Sequence, residues 1–129
     1  MKKKKILLAE DNLINQKVAM LMLKKFDQII ELAENGKIAV EKFRSNQFDV
    51  VLMDLHMPEV DGFEATRRIR EIEKSENRPV KVKIYAMTAS SVHDERDNCI
   101  EAGMDGYLSK PFKNHEVIEI LEDSGSSPV

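Results

Sequence analysis

This 129-residue chain offers little to disulfides, lipid or nucleic acid. Cys99 is the only cysteine, which excludes an internal disulfide and a thiolate metal cluster and suits a small buried apolar residue on a helix. There is no basic excess: 20 Lys and Arg stand against 23 Asp and Glu, a formal charge of -3. General attraction to phosphate backbones therefore has no source, and no direct nucleic-acid contact is expected. The longest apolar run is far shorter than a bilayer requires, so no membrane contact is expected of these residues. The Lys2 to Lys5 run leads into a strand-like segment that ends in acid rather than a cleavage site, and reads as solvated charge. The expected location is cytoplasmic, with a parent protein that can itself be membrane-anchored.

What is present is a core's worth of apolar residues, 42% of the chain, enough for one compact domain over residues 1–123. The closing SGSSPV, residues 124–129, reads as a flexible tail or linker. Lys5 to Ala9 is strand-like, and Leu13 to Phe26 follows with Ile14, Val18, Leu21, Met22 and Phe26 at helical spacing. Gln28 to Ala33 is a second strand, and Asn35–Gly36 turns into a helix that buries Ala39, Val40 and Phe43. Asp49 to Asp54 is the most continuous apolar strand and is expected at the centre of a sheet covered on both faces. Pro58 and Gly62 punctuate the loop before a helix from Phe63 to Glu73 with Ile69 and Ile72 inward. A strand over Val82 to Met87, a polar helix over Val92 to Ala102 stopped by Gly103, a short strand over Asp105 to Leu108 and a helix over Asn114 to Glu122 complete the pattern. Val117, Ile118 and Leu121 form the expected inner stripe of that last helix. Five strands alternating with five helices imply an α/β fold with a parallel sheet, right-handed crossovers and helices on both faces.

The strand ends carry the chemistry. Glu10 and Asp11 close the first strand and Asp54 the third, and the carboxyl ends of parallel strands share one edge. A carboxylate cluster is thus expected, and hard oxygen ligands without histidine or thiolate suit Mg²⁺. Thr88 closes the fourth strand with a hydroxyl and Lys110 the fifth with an ammonium. Three carboxylates, one Mg²⁺ and one lysine sum to a charge of about zero, and an acyl phosphate of about -2 in place of the Asp54 charge leaves an excess of about -1. Aspartate is a competent nucleophile towards phosphorus, so Asp54 is the expected phosphoryl acceptor.

These residues, with Met57, Pro58, Asp61, Gly62, Ala89, Tyr107 and Pro111 at the expected places, resemble the receiver domain of two-component response regulators over essentially the whole chain. The resemblance implies the flavodoxin-like (βα)5 fold with strand order 2-1-3-4-5. It implies a Mg²⁺ site, open to Mn²⁺, at Glu10, Asp11, Asp54 and the His56 backbone carbonyl. It implies phosphoryl contacts from Thr88, Lys110 and the backbone amides of His56 and Ala89, a switch pair Thr88 and Tyr107, and a cis peptide between Lys110 and Pro111. Its output face would be the fourth helix, fifth strand and fifth helix. EDNLINQ and MDLHMPEVDGFEATRRIR look more like receivers of hybrid sensor histidine kinases than like those of free transcriptional regulators. The implied partner is a histidine kinase or a histidine phosphotransfer domain docking near the first helix, and the implied state is a monomer or weak dimer.

Blander readings stand beside several of these residues. Glu10 and Asp11 could be helix-capping acids, Tyr107 a plain half-buried tyrosine with a solvated hydroxyl, and His56 a solvent-facing loop residue that, by the resemblance, tunes hydrolysis along with Ser90. Asp61 is expected to cap the third helix rather than bind metal. His93 and His115 have no metal-like spacing with His56. A free single-domain regulator is compatible with the same residues. A small aspartyl-phosphate phosphatase would need a second acid near Asp54, and a flavin carrier would need a phosphate cradle where EDNLIN presents two acids. As a stand-alone domain the chain is expected to catalyse only its own phosphorylation and slow dephosphorylation.

Overall fold

A computed structural model describes residues 3–88, 92–110 and 112–123. Five parallel strands, β1 (Lys5–Ala9), β2 (Ile29–Ala33), β3 (Val50–Asp54), β4 (Lys83–Thr88) and β5 (Gly106–Ser109), form one sheet in the order β2-β1-β3-β4-β5. They alternate with α1 (Leu13–Lys25), α2 (Gly36–Ser45), α3 (Gly62–Ser75), α4 (Val92–Ala102) and α5 (Asn114–Asp123). This is the flavodoxin-like architecture and strand order expected from the resemblance. No helix of the described residues is long and apolar enough to cross a membrane.

Because strand side chains alternate between faces, neighbouring residues of one strand feed different cores. Leu7, Ala9, Val51, Met53, Ile84 and Ala86 pack with Ala39, Phe43, Ala65, Ile69 and Cys99 beneath α2, α3 and α4. Ile6, Leu8, Val50, Leu52, Tyr85 and Met87 pack with Ala19, Leu23, Val117, Ile120 and Leu121 beneath α1 and α5. β3 is buried at all five positions, as its uninterrupted apolar run requires of a central strand.

Two expected faces are corrected. On α1 the buried residues are Gln16, Ala19 and Leu23, whereas Ile14 and Leu21 are 71% and 72% exposed, with Leu13 and Val18 also outside. The helix carries apolar residues almost all round, so periodicity alone does not select a face. Gln16 is drawn inward because its amide donates to the Glu10 carbonyl at 2.8 Å, and Ala19 lets the helix approach the sheet closely. Met22 and Phe26, also placed in the stripe, are only partly buried. On α5 Ile120 replaces Ile118, which is half-buried, beside Val117 and Leu121. β4 and β5 each lie one residue later than their sequence patterns suggest, which brings Thr88 and Ser109 into register as a pair.

The end of the sheet remote from the strand-end acids is held by one cation that the sequence pattern did not mark. Arg70 donates to Glu73 Oε1 at 2.7 Å, to the Val82 carbonyl at 2.9 Å, to the Gly103 carbonyl at 2.9 Å and to Asp105 Oδ2 at 2.9 Å. It thereby joins α3 to the start of β4 and to the α4–β5 turn. Gly103 stops α4, as expected, at a φ of 104°. Its amide donates to the Ile100 carbonyl and that of Met104 to the Cys99 carbonyl, the paired bonds of a Schellman ending.

Candidate functional site

The chain reverses its direction of travel across the sheet between β1 and β3, and a crevice opens there beyond the strand ends. Glu10 continues the β1 ladder by donating its amide to the Ala33 carbonyl at 3.0 Å, which carries its carboxylate to the edge while burying it. Asp54 is the last residue of β3 and only 4% exposed. Asp11 stands beside them in solvent, and one carboxylate oxygen from each of the three lies within 4.8 Å of the others. The expected cluster is therefore assembled. Neither Glu10 nor Asp11 is the α1 cap: Asn12 fills that role by accepting from the Asn15 amide, and Asp61 caps α3 by accepting from the Glu64 amide.

Lys110 closes the recess from the end of β5. Its Nζ lies 2.8 Å from Glu10 Oε1 and 3.1 Å from Asp54 Oδ1. Its amide donates to the Thr88 carbonyl at 3.1 Å, so the lysine is placed by the neighbouring strand end. Thr88 is buried and lines the same recess of about 430 Å³ with Glu10, Asp11, Asp54, His56, Glu95 and Lys110.

The electrostatics separate the two buried acids. Burial and the Glu10 charge push the Asp54 carboxyl up to about 6, against the pull of Lys110. Burial also penalises the Glu10 anion, but the hydrogen bonds from Lys110 and the Asn12 amide outweigh it and hold its carboxyl below the usual value. Burial works against the Lys110 ammonium too, and contact with Glu10 and Asp54 overcomes it and raises its pKa. A buried, incompletely neutralised carboxylate group with three hard oxygen donors fits a divalent cation of the Mg²⁺ kind.

The loop after Asp54 is built to tight tolerance. The His56 amide donates to Asp54 Oδ1 at 3.3 Å, and the Gly62 amide to the Leu55 carbonyl at 3.0 Å. A Cβ added at Gly62 would overlap the Asp54 carbonyl oxygen and stand 2.9 Å from Leu55 Cα. Gly62→Ala is therefore expected to destabilise the protein by about 2 kcal/mol, the cost of overpacking a rigid contact, read as a lower urea midpoint. An unchanged midpoint would mean that the loop yields without cost.

The other expected residues fall variously. Tyr107 is on β5 and 45% exposed, a half-buried position that both the switch and the plain reading allow. His56 turns its side chain to solvent, as expected, with its Nε2 2.8 Å from Glu95 Oε1. The Ala89 amide, Ser90, Pro111 with its expected cis bond, and the 124–129 tail lie outside the described residues. Glu95 was missed altogether. It sits in a charged stretch, DERD, that resembles any solvated helix face, and only the packing of α4 brings it to the recess.

The receiver-domain model of response regulators matches residues 6–122. Histidine kinase 2 of Arabidopsis thaliana is 41% identical over 130 residues, covering 88% of this chain but 11% of that protein. Hybrid signal transduction histidine kinase B of Dictyostelium discoideum is 44% identical over 121 residues, covering 88% of this chain and 6% of that protein. The chain thus spans a small part of the curated relatives it matches. Among solved structures, the receiver domain of the sensor histidine kinase PA1611 from Pseudomonas aeruginosa PAO1, with magnesium in its active-site cleft, superposes with a TM-score of 0.85 at 39% identity, covering 98% of this chain and 100% of that one. The receiver domain of the Saccharomyces cerevisiae response regulator Ssk1, crystallised with the histidine phosphotransfer protein Ypd1, gives 0.87 at 31%, covering 95% of this chain and 89% of that one. With the family model matched over residues 6–122 and the sheet in the order β2-β1-β3-β4-β5, this chain belongs to the response regulator receiver domain family.

Proposed function

We propose that residues 1–123 form the phosphoacceptor receiver of a phosphorelay, with Asp54 as acceptor, in the setting of a hybrid sensor histidine kinase. The observation that carries this is Lys110 set between Glu10 and Asp54 at the closed end of a recess lined by three clustered carboxylates. An Asp54 carboxylate oxygen attacks the phosphorus of a phosphohistidine. The new O–P bond forms as the P–N bond breaks, and the electron pair leaves with the imidazole nitrogen of the donor. Lys110, the Thr88 hydroxyl and the His56 and Ala89 amides take the phosphoryl oxygens. Glu10, Asp11, Asp54 and the His56 carbonyl would hold Mg²⁺, or Mn²⁺, which when bound neutralises charge on those oxygens. Thr88 then moves towards the phosphoryl group and Tyr107, now half outside, turns inward to alter the face of α4, β5 and α5.

The partner that fits is a histidine kinase or histidine phosphotransfer domain. Leu13, Ile14, Val18 and Leu21 give α1 an exposed apolar side next to the recess, suited to an apolar helix that delivers an imidazole. The domain by itself catalyses only its own phosphorylation and slow dephosphorylation, and works in the cytoplasm without contacting nucleic acid or membrane.

With Mg²⁺ and a small phosphodonor such as acetyl phosphate, the protein should take up one acid-stable, base-labile phosphoryl group, located on Asp54 by fragmentation mass spectrometry. A metal chelator should prevent it. Label on another residue, or uptake that ignores the chelator, would overturn the assignment.

A further inference from the structure

Glu95 lies one turn into α4 and reaches the loop that follows the acceptor, its Oε1 2.8 Å from His56 Nε2. Its other oxygen, Oε2, is buried and has no hydrogen-bond partner among the described residues. An orphan acceptor of this kind is uncommon in a folded protein and marks a group held in place by something other than its own preference. Here the holder is a single hydrogen bond to an imidazole that is 67% exposed, and one such bond open to water is weak. Glu95 is thus a fourth carboxylate lining a recess that already contains Glu10, Asp11 and Asp54.

These acids are not equally secured. Glu10 is fixed by Lys110 and the Asn12 amide, and Asp54 by Lys110 and the His56 amide. Glu95 has His56 alone among the described residues. A phosphoryl group of about -2 in place of the Asp54 charge adds about one negative charge to the same recess; Asp11 already stands in solvent, so of the acids withdrawn from water the least anchored, Glu95, is the one to leave. Beyond the other end of its helix, the Gly103 carbonyl and Asp105 are bound by Arg70, so that end stays put.

We propose that Glu95 is a positioning residue that couples chemistry at Asp54 to α4. In the unmodified protein the His56–Glu95 contact fastens the beginning of α4 to the acceptor loop. An arriving phosphoryl group expels the Glu95 carboxylate, and α4 swings about its Arg70-held end. The coupling rests on Asp54 being the acceptor, and the carboxylate that fastens the helix also opposes entry of an anionic donor.

The test uses the whole chain as wild type, Glu95→Gln and Glu95→Ala. Initial labelling rates are taken with Mg²⁺ and acetyl phosphate, and amide hydrogen exchange across residues 95–102 with and without Mg²⁺ and beryllofluoride as a phosphoryl stand-in. Both variants should label faster than wild type, by about fivefold for one repelling charge in a wet recess. Unmodified Glu95→Ala should exchange its α4 amides as fast as wild type carrying beryllofluoride. Glu95→Gln, which can still hydrogen-bond His56, should keep more protection. Labelling within twofold of wild type in both variants, or α4 exchange that beryllofluoride leaves unchanged in wild type, overturns the coupling while leaving the acceptor intact. A wild type that takes up no label overturns both.

Discussion

Lys110→Ala is expected to lower the stability of the metal-free protein by about 3 kcal/mol near neutral pH, because removing one member of a buried ion group strands the others. Lys110 Nζ is within 2.8 Å of Glu10 and 3.1 Å of Asp54, both acids are buried, and no other lysine or arginine pairs with them among the described residues. The loss should shrink on acidification. Without the ammonium the Glu10 carboxyl loses a bond that keeps it low and the Asp54 carboxyl rises further, so protonation relieves the repulsion once the pH falls below about 6, the value Asp54 has even with Lys110 present. Urea titrations of variant and wild type on either side of that pH measure the difference. A loss of under about 1 kcal/mol near neutrality, or one of equal size at both pH values, would show that the lysine does not hold the acids together. Phosphoryl uptake should fall by about a hundredfold or more, since a charge aimed at the developing oxyanion disappears.

Asp54→Asn is expected to act in the opposite direction on stability. The folded-state carboxyl stands at about 6 against an ordinary 3.8, so folding favours the protonated form. The stabilisation this gives is complete below the unfolded value and is lost as pH rises through about 6. Near neutral pH the wild type therefore carries a buried anion that costs it up to about 3 kcal/mol, and the amide removes that cost. That figure is already net of the pull of Lys110, so an increase of up to about 3 kcal/mol is expected without metal. Melting temperatures of the two proteins should diverge from pH 4 to pH 7, with the variant higher. Mg²⁺ should narrow the gap by stabilising the wild type more, and phosphoryl labelling of the variant should vanish. A variant less stable than wild type near neutrality, with a parallel pH profile, would mean that the Asp54 charge is already fully compensated.

The features legible in the sequence were those in which local chemistry and long-range placement coincide. A strand ending in acid declares both its burial and its terminus, so Glu10 and Asp54 could be placed together before any contact was known. Lys110 followed because it ends another strand of the same parallel sheet. The face of α1 was not legible, since a helix that is apolar nearly all round is oriented by Gln16 bonding to the Glu10 carbonyl rather than by periodicity. Neither was Arg70, whose four acceptors lie on three separate segments, nor Glu95, which meets a residue 39 positions away. Contacts of that kind exist only after the helices have docked.

Insertions and deletions meet a stricter limit than substitutions do. Val51 and Met53 belong to one core and Val50 and Leu52 to the other, while Asp54 takes its place at the edge by counting from them. One residue added to or removed from β3 would exchange the allegiance of every side chain on one side of the change, or move the carboxylate off the recess. Changes in chain length are therefore confined to the connections at the opposite end of the sheet, such as the segment 76–81, where a gained or lost residue leaves this count untouched.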